Sequence, residues 1–189
     1  MELPKILNMG SGKNFRDDCV NIDKNIAWKP DIVFDLNLPI GVDGAQAFET
    51  KRFGWIVFNP NMFDRIIASD VLEHIEKLVV CMESCLRLLK VGGVMEIIVP
   101  YDLSLGAWQD PNHVRAFNQN SWLYYTKWAW YLGWEKERFN LVNQEYLLSE
   151  IGQKMASNKR SQENIMDIPR TVDKLRVRLE KITTEKESK

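Results

Sequence analysis

The chain has little of what disulfide-bonded, zinc-bound or membrane-spanning proteins depend on. It contains three cysteines and two histidines in 189 residues. An odd number of cysteines without a Cys-x-x-Cys pair predicts neither a disulfide framework nor a zinc knuckle, and we expect reduced, buried thiols. No apolar run approaches the roughly 20 residues of a membrane span, and the first residues lack a signal-peptide pattern. These absences predict a cytoplasmic protein that makes no use of a membrane.

An excess of charge of either sign is also missing. The 25 basic and 26 acidic residues give a formal net charge of −1. A balanced charge provides no long-range attraction to nucleic acid, so it disfavours that partner. Hydrophobic residues make up 45% of the chain, which is typical of one globular domain with a substantial core.

The most informative segment lies near the N-terminus. A short apolar run leads into Gly10, Ser11 and Gly12, and a second apolar run ends at Asp23. Glycines let backbone N–H groups approach a ligand without a Cβ in the way. A carboxylate at the end of the next strand can accept both hydrogen bonds of a ribose diol. The segment therefore predicts a nucleoside-binding site.

This loop lacks the features of a dinucleotide site. Phe15 occupies the position of the third glycine, and Asp23 follows Gly12 by eleven residues rather than the usual distance of roughly 20. The six residues between Gly12 and Cys19 are too few for a normal crossover helix, so no helix N-terminus would face a pyrophosphate. The differences favour a nucleoside without phosphates, of which S-adenosylmethionine is the obvious candidate.

Short apolar runs bounded by turn residues predict the strands of a largely parallel sheet. These strands cover residues 6–9, 20–22, 31–35, 63–70 and 94–99. Polar residues at their ends would converge at the carboxyl edge, where open α/β sheets bind ligands. Apolar residues at spacings of three and four from Ile75 to Leu89 predict an amphipathic helix, which Gly92 and Gly93 would end. The turn-rich residues 36–54 predict a connector with one helical turn over 45–48.

The second half is rich in aromatic residues, with five of the seven tryptophans between Trp108 and Trp134. The predicted elements are a helix over 122–132 between Ser121 and Gly133, strands over 138–142 and 175–180, and a mobile loop over 155–167. A charged, frayed tail is expected over 183–189. The aromatic segment is a candidate acceptor wall or homodimer surface, or the packed core of a cap helix.

The order of these features resembles the class I S-adenosylmethionine-dependent methyltransferases. The most specific part is Val-Leu-Glu-His-Ile at 71–75, followed one helix later by Leu-Lys-Val-Gly-Gly at 89–93 and an apolar strand. The resemblance covers residues 5–100. It implies an α/β fold with a Rossmann-like methyltransferase sheet, mostly parallel with an antiparallel C-terminal edge, and a shortened first helix. One domain over 1–182 would have a cofactor half (1–100) and an acceptor half (101–182).

The resemblance also implies where S-adenosylmethionine and its product S-adenosylhomocysteine bind. The glycine loop would surround the methionine portion, Asp23 would bind the ribose, and Asp35 with Leu36 would bind adenine. The candidate cofactor-binding residues are Asn8, Met9, Gly10, Ser11, Gly12, Asp23, Asp35, Leu36, Ser69, Asp70, Val71 and His74.

Three residues after the fifth strand are candidate catalytic residues. Methyl transfer requires alignment of donor and acceptor and, for a hydroxyl or amine acceptor, removal of a proton. His113 is the candidate base, and Asp110 is the carboxylate that would orient it. Arg115 is a candidate partner for an anionic acceptor, because its guanidinium can form two parallel hydrogen bonds to a carboxylate or phosphate. The alternatives are that His113 and Asp110 only fasten a loop and that Arg115 forms an ordinary salt bridge. Two histidines 39 positions apart predict no metal site, and Glu73 is read as a first-turn helix residue.

The leading hypothesis is a methyltransferase acting on a small-molecule or glycan-like acceptor. The shortened glycine loop motivates an alternative, a non-catalytic cofactor-binding or interaction module with the same fold. A nucleic-acid methyltransferase is the third hypothesis, which the balanced charge disfavours.

Overall fold

The computed structural model describes residues 3–41, 46–158 and 160–184. Its strands are β1 (Ile6–Met9), β2 (Val20–Asp23), β3 (Ile32–Val33), β4 (Gln46–Thr50), β5 (Gly54–Phe58), β6 (Phe63–Ser69), β7 (Leu89–Pro100), β8 (Glu137–Leu148) and β9 (Val172–Thr183). The α-helices are α1 (Leu78–Leu88), α2 (Gly106–Gln109), α3 (Glu150–Ser157) and α4 (Gln162–Met166). Short 3₁₀ helices cover Ile26–Trp28, Leu72–His74, Leu123–Tyr125 and Ala129–Leu132.

Seven strands form one twisted sheet in the order β3-β2-β1-β6-β7-β9-β8. The first five of these strands pair in parallel, whereas β9 pairs antiparallel with both β7 and β8. This confirms the expected sheet, parallel with an antiparallel C-terminal edge. The chain winds outward in one direction from β1 to β3 and in the other from β6 to β7. The switch point between β1 and β6 is where such sheets bind ligands.

Buried apolar side chains on both faces of the sheet form one continuous core. The inward face of α1 contributes Leu78, Met82 and Cys85, and the Cys85 thiol lies 3.3 Å from the sulfur of Met9 on β1. All three cysteines are free and buried, as expected from the sequence. Among the described residues, no helix combines the length and the hydropathy that crossing a membrane requires.

Residues 13–19 make the crossing from β1 to β2 without a helix, as predicted, and side chains hold the loop instead. The Asn21 side chain accepts from Asn8 Nδ2 at 2.9 Å and from the Arg16 backbone N–H at 3.0 Å, and donates to the Arg16 carbonyl at 2.8 Å. Arg52 reaches over from the β4–β5 hairpin and donates to the Cys19 carbonyl at 2.6 Å. Its guanidinium also lies 4.8 Å from the centre of the Phe15 ring, a cation–π contact.

The predicted connector over 36–54 is wrong in its second part, where β4 and β5 form an antiparallel hairpin. The helical turn expected at 45–48 is replaced by strand from Gln46 onward, and Ala45 lies outside the described residues. Phe48 and Phe58 from the two strands pack edge-to-face at 5.2 Å. The sequence did not reveal these strands because their apolar and polar residues alternate only weakly and turn-forming residues surround them. Packing between the two aromatic rings stabilises the hairpin.

The helix before β7 also ends earlier than predicted. α1 stops at Leu88, and β7 begins at once, so Gly92 and Gly93 lie in a strand rather than at a helix end. The register between β6 and β7 jumps from the Phe63–Leu89 pair to the Arg65–Val94 pair, which leaves extra residues in a bulge. Gly92 adopts a φ of +81° within it, a conformation that favours glycine.

Two predictions for the second half are wrong as well. The expected helix over 122–132 is a pair of 3₁₀ helices separated by residues 126–128. Gly133 does end the second one, but the Ser121 hydroxyl accepts from the Asn118 N–H instead of capping. The expected mobile loop over 155–167 contains the end of α3 and all of α4, whose N-cap is Ser161. β9 continues to Thr183, and residues 185–189 of the expected tail lie outside the described residues.

Candidate cofactor and acceptor site

A cleft of about 690 Å³ opens at the carboxyl ends of the parallel strands. The segments that line it follow β1, β2, β3 and β6, together with the loop over 111–114. Its lining residues are Gly10, Gly12, Asp23, Lys24, Asn25, Trp28, Phe34, Asp35, Leu36, Asn37, Asp70, Val71, His74, Ile75, Glu76, Pro111, Asn112 and Val114. The cleft lies beside the switch point between β1 and β6, where the polar strand ends converge.

Both glycines of the loop are required by its geometry. Gly10 has a φ of +57°, and a Cβ on it would lie 2.2 Å from a methyl group of Val71, so the backbone packs directly on the segment after β6. Gly12 has a φ of +46°, which L residues with side chains rarely adopt. The N–H of Gly12 donates to Asp23 Oδ2 at 2.8 Å, so the loop is tied to the end of β2.

Two backbone hydrogen bonds fix the Asp23 carboxylate at the edge of the cleft. Oδ2 accepts from Gly12 and Oδ1 accepts from the Asn25 N–H, each at 2.8 Å. A carboxylate has about four acceptor positions, so both oxygens can still accept from a ligand. A pair of acceptors held in a fixed orientation is what recognition of a diol requires.

Apolar side chains and carboxylates both line the cleft, and the apolar ones are the larger group. Trp28, Phe34, Leu36, Ile75 and Val114 provide a surface suited to a planar base. Asp35 is one of the carboxylates, and its Oδ1 is oriented by the backbone N–H and the side-chain amide of Asn37, both at 2.9 Å.

The charge of the cleft is strongly one-sided. Asp23, Asp35, Asp70 and Glu76 line it, whereas Lys24 is its only lysine or arginine among the described residues. Lys174 forms an ion pair with Asp70 at 2.6 Å from outside the lining set. A negative cleft repels a pyrophosphate and attracts a cation such as a sulfonium or an ammonium group.

The remaining predicted cofactor residues lie behind the glycine loop. Asn8, Ser11 and Ser69 line a smaller cavity of about 360 Å³, which shares Gly10 with the main cleft. The Ser11 hydroxyl is buried and has no hydrogen-bond partner among the described residues. Met9 lines neither cavity, since it is buried in the core.

None of the three predicted catalytic side chains lines the cleft, although their neighbours in the 111–114 loop do. His113 is 8% exposed, and its Nε2 is 3.9 Å from Asp110 Oδ2. Asp110 accepts from the backbone and side chain of Asn112, and these bonds hold the pKa of its carboxyl below the ordinary value. Arg115 donates to the Glu76 carbonyl at 2.8 Å, which fastens the loop to the segment before α1.

His74 lines the cleft and connects it to His113. The two imidazole rings pack edge-to-face with centroids 4.6 Å apart. Nδ1 of His113 is 2.9 Å from the Ala107 carbonyl, and Nδ1 of His74 is 3.2 Å from the Asn112 carbonyl. His113 therefore packs against a residue that lines the cleft without lining it itself.

Glu73 belongs to the same group and is the residue that the sequence reasoning missed. It is 1% exposed, and neither carboxylate oxygen has a hydrogen-bond partner among the described residues. Burial raises the pKa of its carboxyl to about 7, and the negative charge of Asp70 adds to this effect. Glu73, His74 and His113 each offer one ligating atom, and these atoms all lie within 4.8 Å of one another. The three residues come together only through the fold, so the spacing of the histidines did not reveal them.

The tryptophan-rich segment lies elsewhere. Trp122 is buried and stacks on Phe117 with centroids 5.4 Å apart, which is core packing. Trp108 and Trp130 are exposed, and no tryptophan of this segment is among the residues that line the cleft. The tryptophan that does line it is Trp28, between β2 and β3.

The strand order and the position of the cleft define the class I methyltransferase fold, and the resemblance seen in the sequence is confirmed at this level. A family model described as "Methyltransferase domain" matches residues 46–97. The matched segment begins after the glycine loop and Asp23. The unusually short crossing between β1 and β2 lies outside it.

Solved structures of this fold cover almost the whole chain. A SAM-dependent methyltransferase from Archaeoglobus fulgidus aligns with a TM-score of 0.56 at 15% identity, covering 94% of this chain and 86% of the other. The [4+2]-cyclase SpnF aligns with a TM-score of 0.57 at 12% identity, covering 95% and 75%. Coclaurine N-methyltransferase bound to N-methylheliamine and SAH aligns with a TM-score of 0.51 at 9% identity, covering 93% and 67%. No curated protein matches the chain in sequence.

Proposed function

We propose that this protein is a methyltransferase that uses S-adenosylmethionine and transfers its methyl group to a small-molecule or glycan-like acceptor. The observation that carries the proposal is the acidic cleft at the switch point, with the Asp23 carboxylate fixed by Gly12 and Asn25. Its shape suits a nucleoside, and its charge suits a cationic donor rather than a phosphate.

The residues present fit the cofactor. Gly10 and Gly12 both line the cleft, a Cβ on Gly12 would meet no atom closer than 3.9 Å, and the Ser11 hydroxyl is a buried polar group without a partner among the described residues. Asp23 would accept from the ribose hydroxyls, and the apolar surface with Asp35 would hold the adenine. When bound, S-adenosylmethionine supplies an activated methyl group on a positively charged sulfur. What the chain itself must do is align the acceptor and stabilise the donor's charge.

The acceptor would enter at the end of the cleft formed by His74 and the 111–114 loop. This end carries Pro111, Asn112 and Val114, which offer a mixed apolar and polar surface to a small molecule. His74 lines this end of the cleft and the predicted base His113 does not, so His74 is the imidazole that an acceptor would contact. A small acceptor is favoured over nucleic acid because the cleft is acidic and would repel a phosphate backbone.

Calorimetry with S-adenosylmethionine and S-adenosylhomocysteine tests the cofactor. Asp23→Asn should weaken binding by about tenfold to a hundredfold, because hydrogen bonds to a charged acceptor contribute about 1.5–3 kcal/mol. Asp64→Asn is the matched control, since Asp64 lies at the N-terminal end of β6, does not line the cleft and pairs with Lys90. Absence of binding by the wild type, or equal binding by Asp23→Asn, would refute the proposal.

Transfer of a labelled methyl group to a panel of small hydroxyl and amine compounds tests the acceptor. We expect turnover with a small acceptor and none with RNA or DNA. Tight cofactor binding without transfer to any compound would instead support the non-catalytic alternative.

A further inference from the structure

The group formed by Glu73, His74 and His113 has the composition of a metal site. Two imidazoles and one carboxylate meet with their ligating atoms within 4.8 Å of one another. For three atoms with that spacing, there is always a point that lies within about 2.8 Å of all of them. Bonds from zinc to histidine and carboxylate ligands are about 2.0–2.2 Å long, so side-chain shifts of less than about 1 Å would complete the coordination.

The contacts of both histidines leave Nε2 as the ring nitrogen available to a metal. A backbone carbonyl only accepts hydrogen bonds, so contacts from Nδ1 to the Ala107 and Asn112 carbonyls place the proton on Nδ1 of each ring. The lone pair of each neutral imidazole is then on Nε2. Metal-binding histidines usually donate their second ring N–H to an oxygen in this way, which fixes the ring and raises its basicity.

The carboxylate provides an independent reason to expect a cation. Glu73 is 1% exposed, and both of its oxygens lack hydrogen-bond partners among the described residues. A buried carboxylate without a partner is costly unless a cation or a proton neutralises it. Lys174 acts on Glu73 through its charge, but it is paired with Asp70 at 2.6 Å and forms no ion pair with Glu73.

The surroundings of the group are also acidic. Asp70 stands on the cleft side, and Asp110 Oδ2 is 3.9 Å from His113 Nε2. The one guanidinium on this loop, that of Arg115, donates to the Glu76 carbonyl. The local field therefore favours a divalent cation at the position between the three side chains.

We propose that Glu73, His74 and His113 bind one divalent first-row transition-metal ion of the zinc class. Two nitrogens and one oxygen match the preferences of zinc, cobalt and iron(II) rather than those of magnesium or calcium, which prefer oxygen ligands. Three protein ligands leave coordination positions open, as in catalytic rather than structural zinc sites.

The ion would lie beside His74, at the acceptor end of the cleft, and this part of the inference rests on the proposed function. An acceptor hydroxyl bound to an open position would lose its proton to solvent more readily, as metal-bound water does. Its oxygen would then form a bond to the methyl carbon as the bond from carbon to sulfur breaks, leaving neutral S-adenosylhomocysteine. The metal site would thus favour an acceptor that carries a hydroxyl group.

Cobalt(II) binding to the full chain, stripped of metal by a chelator, tests the site directly. We expect one cobalt ion per chain, with visible absorption bands of nitrogen and oxygen ligands and no thiolate charge-transfer band from the three cysteines. Zinc should displace the cobalt, and magnesium at the same concentration should not. Glu73→Gln, His74→Asn and His113→Asn should each weaken cobalt binding at least about tenfold.

Controls separate a lost ligand from a lost fold and from a failed functional proposal. Asp64→Asn should bind cobalt like the wild type, and circular dichroism should be unchanged in every variant. Glu73→Gln keeps the shape of the side chain and removes a buried charge, so loss of binding in this variant is not a folding defect. S-adenosylmethionine binding is measured separately in the metal-free protein, so failure of the cofactor site and failure of the metal site are distinguishable.

Three results would each overturn the inference. They are no stoichiometric binding of cobalt or zinc by the wild type, wild-type affinity in all three ligand variants, or a thiolate charge-transfer band on binding.

Discussion

Replacing Glu73 with glutamine should stabilise the metal-free protein, and the gain should depend on pH. In the folded state the carboxyl is buried without a partner, and its pKa is raised from the ordinary value of 4.5 to about 7. Between these two pH values the folded protein binds a proton that the unfolded chain has released. The free energy of unfolding therefore falls as pH rises through this window. This loss of stability is absent well below pH 4.5 and complete above pH 7.

The size of the effect follows from the shift. One pKa unit corresponds to about 1.4 kcal/mol, so the full shift costs about 3 kcal/mol at pH 8 and less than about 1 kcal/mol at pH 5. Glutamine has the shape of the protonated side chain and does not titrate. Glu73→Gln should therefore raise the free energy of unfolding by about 3 kcal/mol at pH 8 and by little at pH 5.

Urea denaturation in the presence of a chelator measures this difference. Glu76→Gln, which changes an exposed carboxylate three residues further on, is the control. A difference between Glu73→Gln and the wild type that is the same at both pH values would refute the reasoning, because it would mean that the folded carboxyl titrates like the unfolded one. Addition of zinc without the chelator should reverse the order of stability at pH 8, since only the wild type keeps all three ligands.

Three further predictions concern residues around the site and the opposite end of the sheet. Gly10→Ala should lower the free energy of unfolding by at least about 2 kcal/mol, because the new Cβ would lie 2.2 Å from a methyl group of Val71 and the φ of this residue is +57°. Urea denaturation measures this change, and an unchanged free energy of unfolding would contradict the close contact between Gly10 and Val71. Nitrogen NMR should show both neutral histidines, His74 and His113, protonated on Nδ1, and an Nε2–H signal from either would remove that histidine from the ligand set. Lys181→Met should lower the free energy of unfolding by about 2 kcal/mol, because the Lys181 side chain is 1% exposed and its ammonium binds Asn61 and Glu137 at 2.9 Å each. Urea denaturation measures this change. An unchanged free energy of unfolding would show that the methionine compensates for both contacts.

Local sequence patterns predicted the parallel strands and the ligand-facing loop because their signals lie within a few residues of each other. The apolar runs of β1 and β2, the glycines between them and Asp23 form one continuous stretch. The β4–β5 hairpin was missed because its stability comes from the contact between Phe48 and Phe58 across the two strands, which no single run displays.

The Glu73 group was missed for a different physical reason. The apolar periodicity predicted an amphipathic helix from about Ile75 onward, and Glu73 was interpreted as a residue of its first turn. The helix begins at Leu78 instead, and residues 72–74 form a separate 3₁₀ turn that directs the Glu73 side chain inward. His113 then reaches the same place from a loop 39 positions away, and only the fold brings the two histidines together.

The short crossing between β1 and β2 was the main reason to consider a protein that kept the fold and lost the chemistry. The structure weakens that reason, because side-chain hydrogen bonds hold the loop in place without a helix. Asn21 ties the loop to Asn8 and Arg16, and Arg52 fastens its end from the hairpin. Gly12 still points its N–H at Asp23, so the backbone that faces the cleft does not depend on a helix behind it. A negative cleft needs no helix N-terminus either, since that device serves phosphate ligands, which this cleft repels. The shortened loop is thus consistent with the proposed sulfonium cofactor and gives no reason to expect a loss of binding.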